Sequence, residues 1–173
     1  MRSDAPKVNL EAIFDCQYER IARVIAGVIR DSARAEELAV DVFLKWERNP
    51  KAHGEGVEGW LYRTAIRTAL NELRRERRRS RYEELFGIFS FQSKKTAPTP
   101  EEIRSSNEAQ ERVRTVLGVM AARQSELLLL RNHGFSYAEI ASALHLNPAS
   151  IGTLLSRAEE TFRKEYTKRY GQE

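Results

Sequence analysis

The sequence predicts an all-α fold made of two small helical domains joined by a flexible linker. Apolar residues recur at spacings of three and four along most of the 173-residue chain, which is the period of an amphipathic helix. Serine, aspartate and asparagine stand where such helices would begin, and their side chains can cap the first backbone N–H groups. A polar stretch that contains Pro98 and Pro100 divides the helical segments into two groups.

The first two helices are predicted from their apolar spacing and from the breaks between them. A long helix covers about 10–30, where Asp31 and Ser32 interrupt the pattern and offer capping side chains for the next helix. That second helix runs over about 33–48. It stops before Asn49-Pro50, because proline disfavours a helical conformation in the residue before it.

The outer face of the second predicted helix carries a stripe that is mostly charged. Its members are Glu37, Asp41, Leu44 and Arg48, and they lie away from the apolar side of the helix. A solvated surface is the ordinary explanation of such a stripe, whereas the functional explanation is a docking face for a protein partner.

A long basic helix follows a glycine-rich loop over 53–59, and we expect it to open at Trp60. Between Arg63 and Arg81 there are eight arginines and two glutamates, a local charge of +6 in a chain whose net charge is +4. At about 100° per residue, five polar side chains fall within an arc of roughly 80°. They are Arg63, Arg67, Asn71, Arg74 and Arg78. Guanidinium groups on one face suit phosphates and guanine, so we expect this face to bind nucleic acid.

The polar stretch after this helix separates the two domains. We assign 8–84 to the first domain, 85–106 to the linker and 107–170 to the second domain, whose first two helices end near Met120 and Arg131. The sequence does not show whether the two domains touch.

Two short helices joined by a tight corner follow over 136–163. Ser136 can cap the first helix, with Glu139 reaching back to complete a capping box, and Asn147 can cap the second helix beyond a corner at His145. The outer face of the second helix, which we call the recognition face, carries Pro148, Ala149, Ser150, Thr153, Ser156 and Arg157. In a helix-turn-helix this face enters the DNA major groove, while a plain helical hairpin is the alternative.

Several function classes are disfavoured by composition. The single cysteine, Cys16, cannot form an internal disulfide, and we place it in the core beside Ile13 and Phe14. Three histidines stand far apart without other ligands at metal-binding spacing, so we expect neither a metal nor another cofactor. No paired carboxylates or nucleophile constellation suggests an enzyme. No apolar run suits a membrane span or a secretory signal, and we therefore expect a cytoplasmic protein without membrane insertion.

Taken together, these segments resemble the extracytoplasmic-function sigma factors of the sigma-70 family, the small bacterial group with only regions 2 and 4. ARAEELAVDVFLKWER resembles the family's helix that grips the polymerase clamp, and GWLYRTAIRTALNELRRERRR its helix that melts and reads the minus-ten element. RQSELLLLRNHGFSYAEIASALHLNPASIGTLLSRA is similar to its minus-thirty-five domain. The resemblance implies a transcription initiation factor. The partners it implies are promoter DNA and core RNA polymerase, through the clamp helices of the largest subunit and the flap of the second-largest.

The resemblance also implies roles for individual residues. Polymerase contacts would fall on the α-helical stripe at Glu37 and Asp41, and region 2 contacts to DNA at Arg63, Arg67, Asn71, Arg74 and Arg75, with Arg78 on the same face. The linker, basic at Lys94 and Lys95, would pass through the polymerase interior. Val40 stands where the family usually has a glutamine, so a stand-alone helix-turn-helix regulator that does not bind core polymerase is the alternative. Whether an anti-sigma protein restrains the chain is left open.

Overall fold

Seven α-helices and two short 3-10 helices make up the part of the chain that the computed structural model describes, residues 10–85 and 101–171. The α-helices are α1 (Leu10–Ile29), α2 (Ser32–Glu47), α3 (Val57–Leu85), α4 (Glu101–Val119), α5 (Ala122–Asn132), α6 (Tyr137–Leu144) and α7 (Ile151–Tyr170). The 3-10 helices are Pro50–Ala52 and Pro148–Ser150. Within the described ranges there is no strand, and the all-α prediction is confirmed.

Helices α1, α2 and α3 pack on one another as an N-terminal bundle. The largest fully buried side chains of the bundle are Ile21, Ile25, Val42, Trp46, Leu61, Ile66 and Leu70. The predicted break before α2 is confirmed, because the carboxylate of Asp31 accepts the N–H of Arg34 at 3.0 Å. The loop after α2 is held by the Trp46 indole N–H, which donates to the carbonyl oxygen of Ala52 at 3.0 Å.

Three local predictions, for α3, Cys16 and the linker, differ from the structure or lie partly outside the described residues. Helix α3 begins at Val57, three residues before the predicted start at Trp60. Cys16 is exposed, so its predicted burial is wrong. Helix α4 begins at Glu101, inside the stretch that we assigned to the linker, and the rest of that stretch, with Lys94 and Lys95, lies outside the described residues.

Helices α4 to α7 form a C-terminal unit that contains the predicted helix-turn-helix. At the start of α6 the Ser136 N–H donates to Glu139 Oε2 at 2.7 Å, and the Glu139 N–H donates to Ser136 Oγ at 3.3 Å, which is the expected capping box. His145 turns the corner with φ of 54°. Asn147 Oδ1 then accepts the N–H of Ala149 at 3.0 Å and starts the 3-10 turn that leads into α7.

The N-terminal bundle and the C-terminal unit pack against each other along α3, which contacts α4, α5 and α6. Most of the buried apolar residues of both halves belong to one continuous cluster. At the contact, the ring of Tyr62 lies 4.8 Å from that of Phe135, centroid to centroid. The two halves therefore share a core, and α3 is the element that joins them.

Candidate nucleic-acid and protein interfaces

The recognition face lies on the surface of the C-terminal unit. Pro148, Ala149, Thr153, Ser156 and Arg157 are exposed there, and Ser150 is half-buried. Beneath them Ile151, Leu155 and Ala158 are buried and fix the orientation of α7. The structure thus brings all six predicted residues together, on the 3-10 helix Pro148–Ser150 and the first two turns of α7, on a surface that a DNA groove could receive.

The stripe on α2 also lies on the surface. Glu37, Asp41, Leu44 and Arg48 are all exposed, and Leu44 is 41% exposed, as is its neighbour Val40. Two neighbouring apolar side chains among charges are compatible with the predicted docking face, and equally with an ordinary solvated surface.

One member of this stripe has a partner within the chain. Glu37 Oε2 lies 2.6 Å from Arg34 Nη1, and Arg34 Nε lies 3.1 Å from Glu72 Oε1 on α3. Hydrogen bonds to Glu37 and to Glu72 raise the pKa of Arg34. Glu37 therefore helps to fix α2 on α3 as well as contributing charge to the stripe.

Half of the predicted arginine face of α3 is in contact with the C-terminal unit. Arg67 forms a bidentate ion pair with Glu126 of α5, with Nε to Oε1 at 2.7 Å and Nη2 to Oε2 at 3.2 Å. Arg63 Nη1 donates to the carbonyl oxygen of Ala143 at 2.7 Å. Arg74 donates to two carbonyls at the end of α4, those of Gly118 at 3.3 Å and Met120 at 3.1 Å. These three arginines therefore bind protein in this structure.

The other half of the face is open to solvent. Asn71, Arg75 and Arg78 are exposed. The five residues of the face and the adjacent Arg75 thus comprise three exposed side chains and three that contact the second half of the chain. Among the latter, Arg67 keeps 47% of its side chain exposed.

The contact also uses residues that the sequence analysis did not single out. The side chain of Glu126 is only 4% exposed, and it lies four residues before the buried Leu130, on the inward face of α5. Arg77 Nη1 donates to the carbonyl oxygen of Thr115 at 2.5 Å. The signal that could have revealed Glu126 is an acidic residue at a helical spacing otherwise occupied by leucine, because such a residue is rarely buried without a cation.

Burial removes part of the hydration of the Arg63 guanidinium in this contact. Desolvation lowers the pKa of Arg63, as does the neighbouring charge of Arg67, and Arg63 Nε is buried without a hydrogen-bond partner among the described residues. An arginine remains protonated under all ordinary conditions. Arg63 is therefore a cation held partly away from water, and an anionic ligand would offset the free-energy cost of its desolvation.

An open apolar groove of about 610 Å³ runs across the C-terminal unit between α4, α5 and α7. Its lining residues are Val113, Leu117, Leu128, Leu129, Asn132, Glu159, Phe162, Arg163, Tyr166 and Thr167. Val113 is 39% exposed within it. A groove that is apolar at its base and polar at its rim suits the apolar face of a partner helix.

Two features are absent from residues 10–85 and 101–171. No helix in these ranges is both long and apolar enough to cross a bilayer. No three His, Cys, Asp or Glu side chains there come together as a group that could hold a metal ion.

Comparison with known proteins gives the same order of units as the sequence. The family model for Sigma-70 region 2 matches residues 13–79, and that for Sigma-70 region 4 matches residues 110–162. The protein named "Probable RNA polymerase sigma factor RfaY" from Xanthomonas campestris pv. campestris is 27% identical over 158 residues, which are 90% of this chain and 39% of that protein. The "ECF RNA polymerase sigma factor SigK" from Mycolicibacterium vanbaalenii is 27% identical over 160 residues, 88% of this chain and 79% of that protein.

A solved structure has a similar fold. It is the sigma factor RpoE in complex with the anti-sigma factor NepR from Bartonella quintana, with a TM-score of 0.52, 17% identity, and coverage of 91% of this chain and 96% of that one. The chain spans about two fifths of the length of RfaY and about four fifths of that of SigK. With one family model on each of its two units and relatives aligned across both, the chain belongs to the extracytoplasmic-function group of the sigma-70 family.

Proposed function

We propose that the chain is a transcription initiation factor that binds core RNA polymerase and directs it to specific promoters. The observation that carries the proposal is the combination, in one chain, of an exposed recognition face on α7 with a long basic helix α3 and a separate docking stripe on α2. A DNA-binding regulator needs only the first of these. A factor that must hold an enzyme on two promoter elements needs all three.

The α2 stripe is our candidate for the contact with the polymerase clamp helices. Asp41 and Arg48 provide charge of both signs around the apolar Leu44, an arrangement that combines a small desolvated centre with a polar rim. Charges at the rim steer the encounter, while the leucine supplies buried area.

The groove between α4, α5 and α7 is our candidate for the second polymerase contact, with the flap of the second-largest subunit. Phe162, Leu128 and Val113 would receive the apolar side of a short helix, and Glu159 and Arg163 would meet its polar edges. Two separate contacts on one chain strengthen binding through effective concentration.

Promoter DNA would be read at two places. The recognition face would enter the major groove of the upstream element, where Thr153 and Ser150 can hydrogen-bond base edges and Arg157 can bind a phosphate or guanine. The arginine face of α3, with Asn71 among its cations, would hold the phosphates of the downstream element while its bases are unpaired.

The proposal assigns no catalytic residue to the chain, because nucleotide chemistry would belong to the polymerase. It also places the chain in the cytoplasm, where the bacterial polymerase and its promoters are found.

Purified core polymerase provides the test against the alternative of a stand-alone regulator. We expect the chain to co-elute with core enzyme in gel filtration and to give promoter-specific transcripts from fragmented genomic DNA that core alone does not give. A chain that binds duplex DNA specifically but neither co-elutes with core nor yields such transcripts is a regulator of the other kind.

A further inference from the structure

We propose that the chain binds a phosphate group at a cluster of four arginines, where the ends of α3 and α7 meet α4. The members of this arginine cluster are Arg77, Arg81, Arg112 and Arg169. None of them belongs to the predicted DNA face of α3, to the recognition face or to the α2 stripe. The site does not require the chain to bind polymerase, so its test is independent of the proposed function.

Tyr170, at the end of α7, lies at the centre of the cluster. Arg112 Cζ of α4 is 5.3 Å from the centroid of the Tyr170 ring. Arg77 of α3 reaches the same part of α4, because its Nη1 donates to the carbonyl oxygen of Thr115, less than one turn after Arg112. Contacts of α4 with both α3 and α7 therefore bring side chains of three helices together.

The other two arginines adjoin this pair. Arg169 precedes Tyr170 in the sequence, and Arg81 lies one turn after Arg77 on α3. Burial is the main cause that lowers the pKa of Arg77, and the positive charges of Arg169 and Arg81 lower it further, while the negative charge of Glu111 opposes them as a smaller cause. The fold thus concentrates like charges, and a bound anion would offset their repulsion.

Acidic residues around the cluster neutralise only half of its charge. Glu108 pairs with Arg112 at 2.9 Å, and Glu165 pairs with Arg169 at 3.1 Å, each from one turn earlier on the same helix. Glu111 forms its ion pair with a cation outside the cluster. Four cations and the two carboxylates paired with them leave an excess of two positive charges.

This excess suits a phosphate group. A terminal phosphate carries about 1.5 to 2 negative charges at pH 7 and has three oxygens that accept strong hydrogen bonds. Arginine presents parallel N–H groups that match such oxygens, also when its plane is stacked on an aromatic ring. Ion pairs between residues four apart on a helix surface are weak, so a phosphate can replace their carboxylates. The phosphate can come from a free polyphosphate, such as the chain of a nucleotide, or from a nucleic-acid backbone.

Tripolyphosphate is the probe for a free polyphosphate. The full chain should bind one equivalent in calorimetric titration at constant ionic strength, and at about a hundredfold excess over Kd its melting temperature should rise by about 5–10 °C. Arg81→Gln and Arg169→Gln should each weaken binding about tenfold, because each removes a charge-assisted contact. Both side chains are exposed, so we expect the fold to be preserved, and far-UV CD verifies it.

Lys164→Gln and Arg23→Gln are the matched controls. Lys164 on α7 is exposed and pairs with Glu160 one turn earlier, as Arg169 pairs with Glu165, and Arg23 is an exposed arginine of α1. Neither control should change the tripolyphosphate affinity by more than about twofold, since exposed charges outside the site are screened by salt.

A fluorescein-labelled single-stranded oligonucleotide without a terminal phosphate is the probe for a nucleic-acid backbone. If the cluster binds backbone phosphates, Arg81→Gln combined with Arg169→Gln should lower the slope of log affinity against log salt by about 1.4, at about 0.7 for each contact. The combined control variant should keep the wild-type slope.

A loss that is confined to the Arg81 and Arg169 variants, with either probe, supports the phosphate site and identifies the source of the phosphate. If these variants and the controls bind both probes alike, or if the wild type binds neither probe, the inference is overturned. That result would leave the co-elution with core polymerase, and with it the proposed function, unaffected.

Discussion

The residues of the recognition face differ in what they can offer a base edge. The Ser150 hydroxyl donates to the carbonyl oxygen of Asn147 at 2.7 Å, so its proton is already used in the turn. It can therefore only accept, for example from an amino group of cytosine or adenine. Thr153 is exposed, and its hydroxyl can both donate and accept. Arg157 is the cation of this face and can reach either a phosphate or guanine.

These differences predict separate effects of three substitutions on promoter choice. Thr153→Ala and Ser150→Ala should each change the preferred base at one position of the upstream element, by about 1–3 kcal/mol of discrimination. Arg157→Ala should weaken all upstream elements to a similar degree. The measurement is transcription by core enzyme from a library randomised at that element, with Lys164→Ala, an exposed cation farther along α7, as the control. An unchanged preference in the threonine and serine variants would show that they do not read bases.

The capping box at the start of α6 predicts a pH-dependent stability. Hydrogen bonds from Ser136 lower the pKa of Glu139, so the carboxylate stabilises the fold at pH values above its unfolded-state pKa of about 4.3. That contribution is lost as the pH falls through the lower folded-state pKa. Glu139→Gln should therefore have a lower melting temperature than wild type at pH 7, with the difference narrowing at acid pH. A difference that stays constant with pH would contradict this account.

Cys16 illustrates where residue-level reasoning failed. Its apolar neighbours Ile13 and Phe14 suggested burial. Phe14, however, is two positions away and faces another side of the helix, and Ile13, three positions away on the same side, is itself only half-buried. Phe14 points into the bundle, where its ring packs edge-on against that of Phe43, and Cys16 consequently points to solvent. Neighbouring residues in the sequence showed that the segment is apolar, but they did not show which side of the helix the Cys16 side chain lies on.

At the scale of the element, α2 has one face for the core and another for a partner. We expect Glu37→Lys combined with Asp41→Lys to weaken binding of core polymerase roughly tenfold, because reversing two charges at the rim replaces attraction by like-charge repulsion across the interface. Glu36→Lys combined with Glu47→Lys is the matched control, since it makes the same change of charge on exposed positions of α2 outside the stripe. Affinity for core should be measured by fluorescence titration, with far-UV CD to verify the fold. Equal losses in both pairs would indicate a general effect of charge.

The basic helix predicts a second element-level result, for the exposed Arg75 and Arg78 of α3. Arg75→Ala with Arg78→Ala should lower the salt slope of duplex binding by about two, one per phosphate contact. Arg23 on α1 and Lys51, which precedes α3, are both exposed and lie outside this helix, so they give a control pair when changed to alanine. A slope that is the same in the two double variants would make the exposed half of α3 an ordinary solvated surface.

Helix ends were predictable only where side chains mark them. Asp31 and the pair Ser136 with Glu139 cap their helices, and the predicted starts of α2 and α6 agree with the structure. The start of α3 has no such side chain. There the backbone N–H of Trp60 bonds to the carbonyl oxygen of Gly56 at 3.0 Å, so the helix begins within the glycine-rich loop. Backbone hydrogen bonds of this kind leave no signature in the sequence.

The arginine face shows the limit of a helical pattern at the scale of the whole molecule. The pattern correctly groups Arg67 and Arg74 on one side of α3, but it cannot tell whether that side meets water, DNA or another part of the same chain. Glu126, the partner of Arg67, is 59 residues away in sequence. Long-range pairing of this type depends on the packing of complete units, whereas periodicity reports only on single helices.

The continuous core predicts how the whole molecule unfolds. Both tryptophans, Trp46 and Trp60, belong to the N-terminal bundle, so their fluorescence reports on that half alone, while far-UV CD reports on all helices. If the shared core and the arginine contacts couple the halves, urea unfolding of the wild type should give coincident transitions by both probes. Independent halves would give separate transitions.

Arg114→Ala should uncouple the two transitions, because this side chain binds the end of α1 and lies outside the proposed DNA and polymerase contacts. Its loss removes two hydrogen bonds between α4 and the carbonyls of Val28 and Ile29 and an ion pair with Glu76 at 3.7 Å. Each charged hydrogen bond contributes about 1.5–3 kcal/mol, which is enough to lower the CD midpoint below the fluorescence midpoint as the C-terminal unit unfolds first. Arg112→Ala, two residues earlier on α4, controls for the loss of an arginine. Coincident midpoints in Arg114→Ala would mean that the apolar core alone couples the halves.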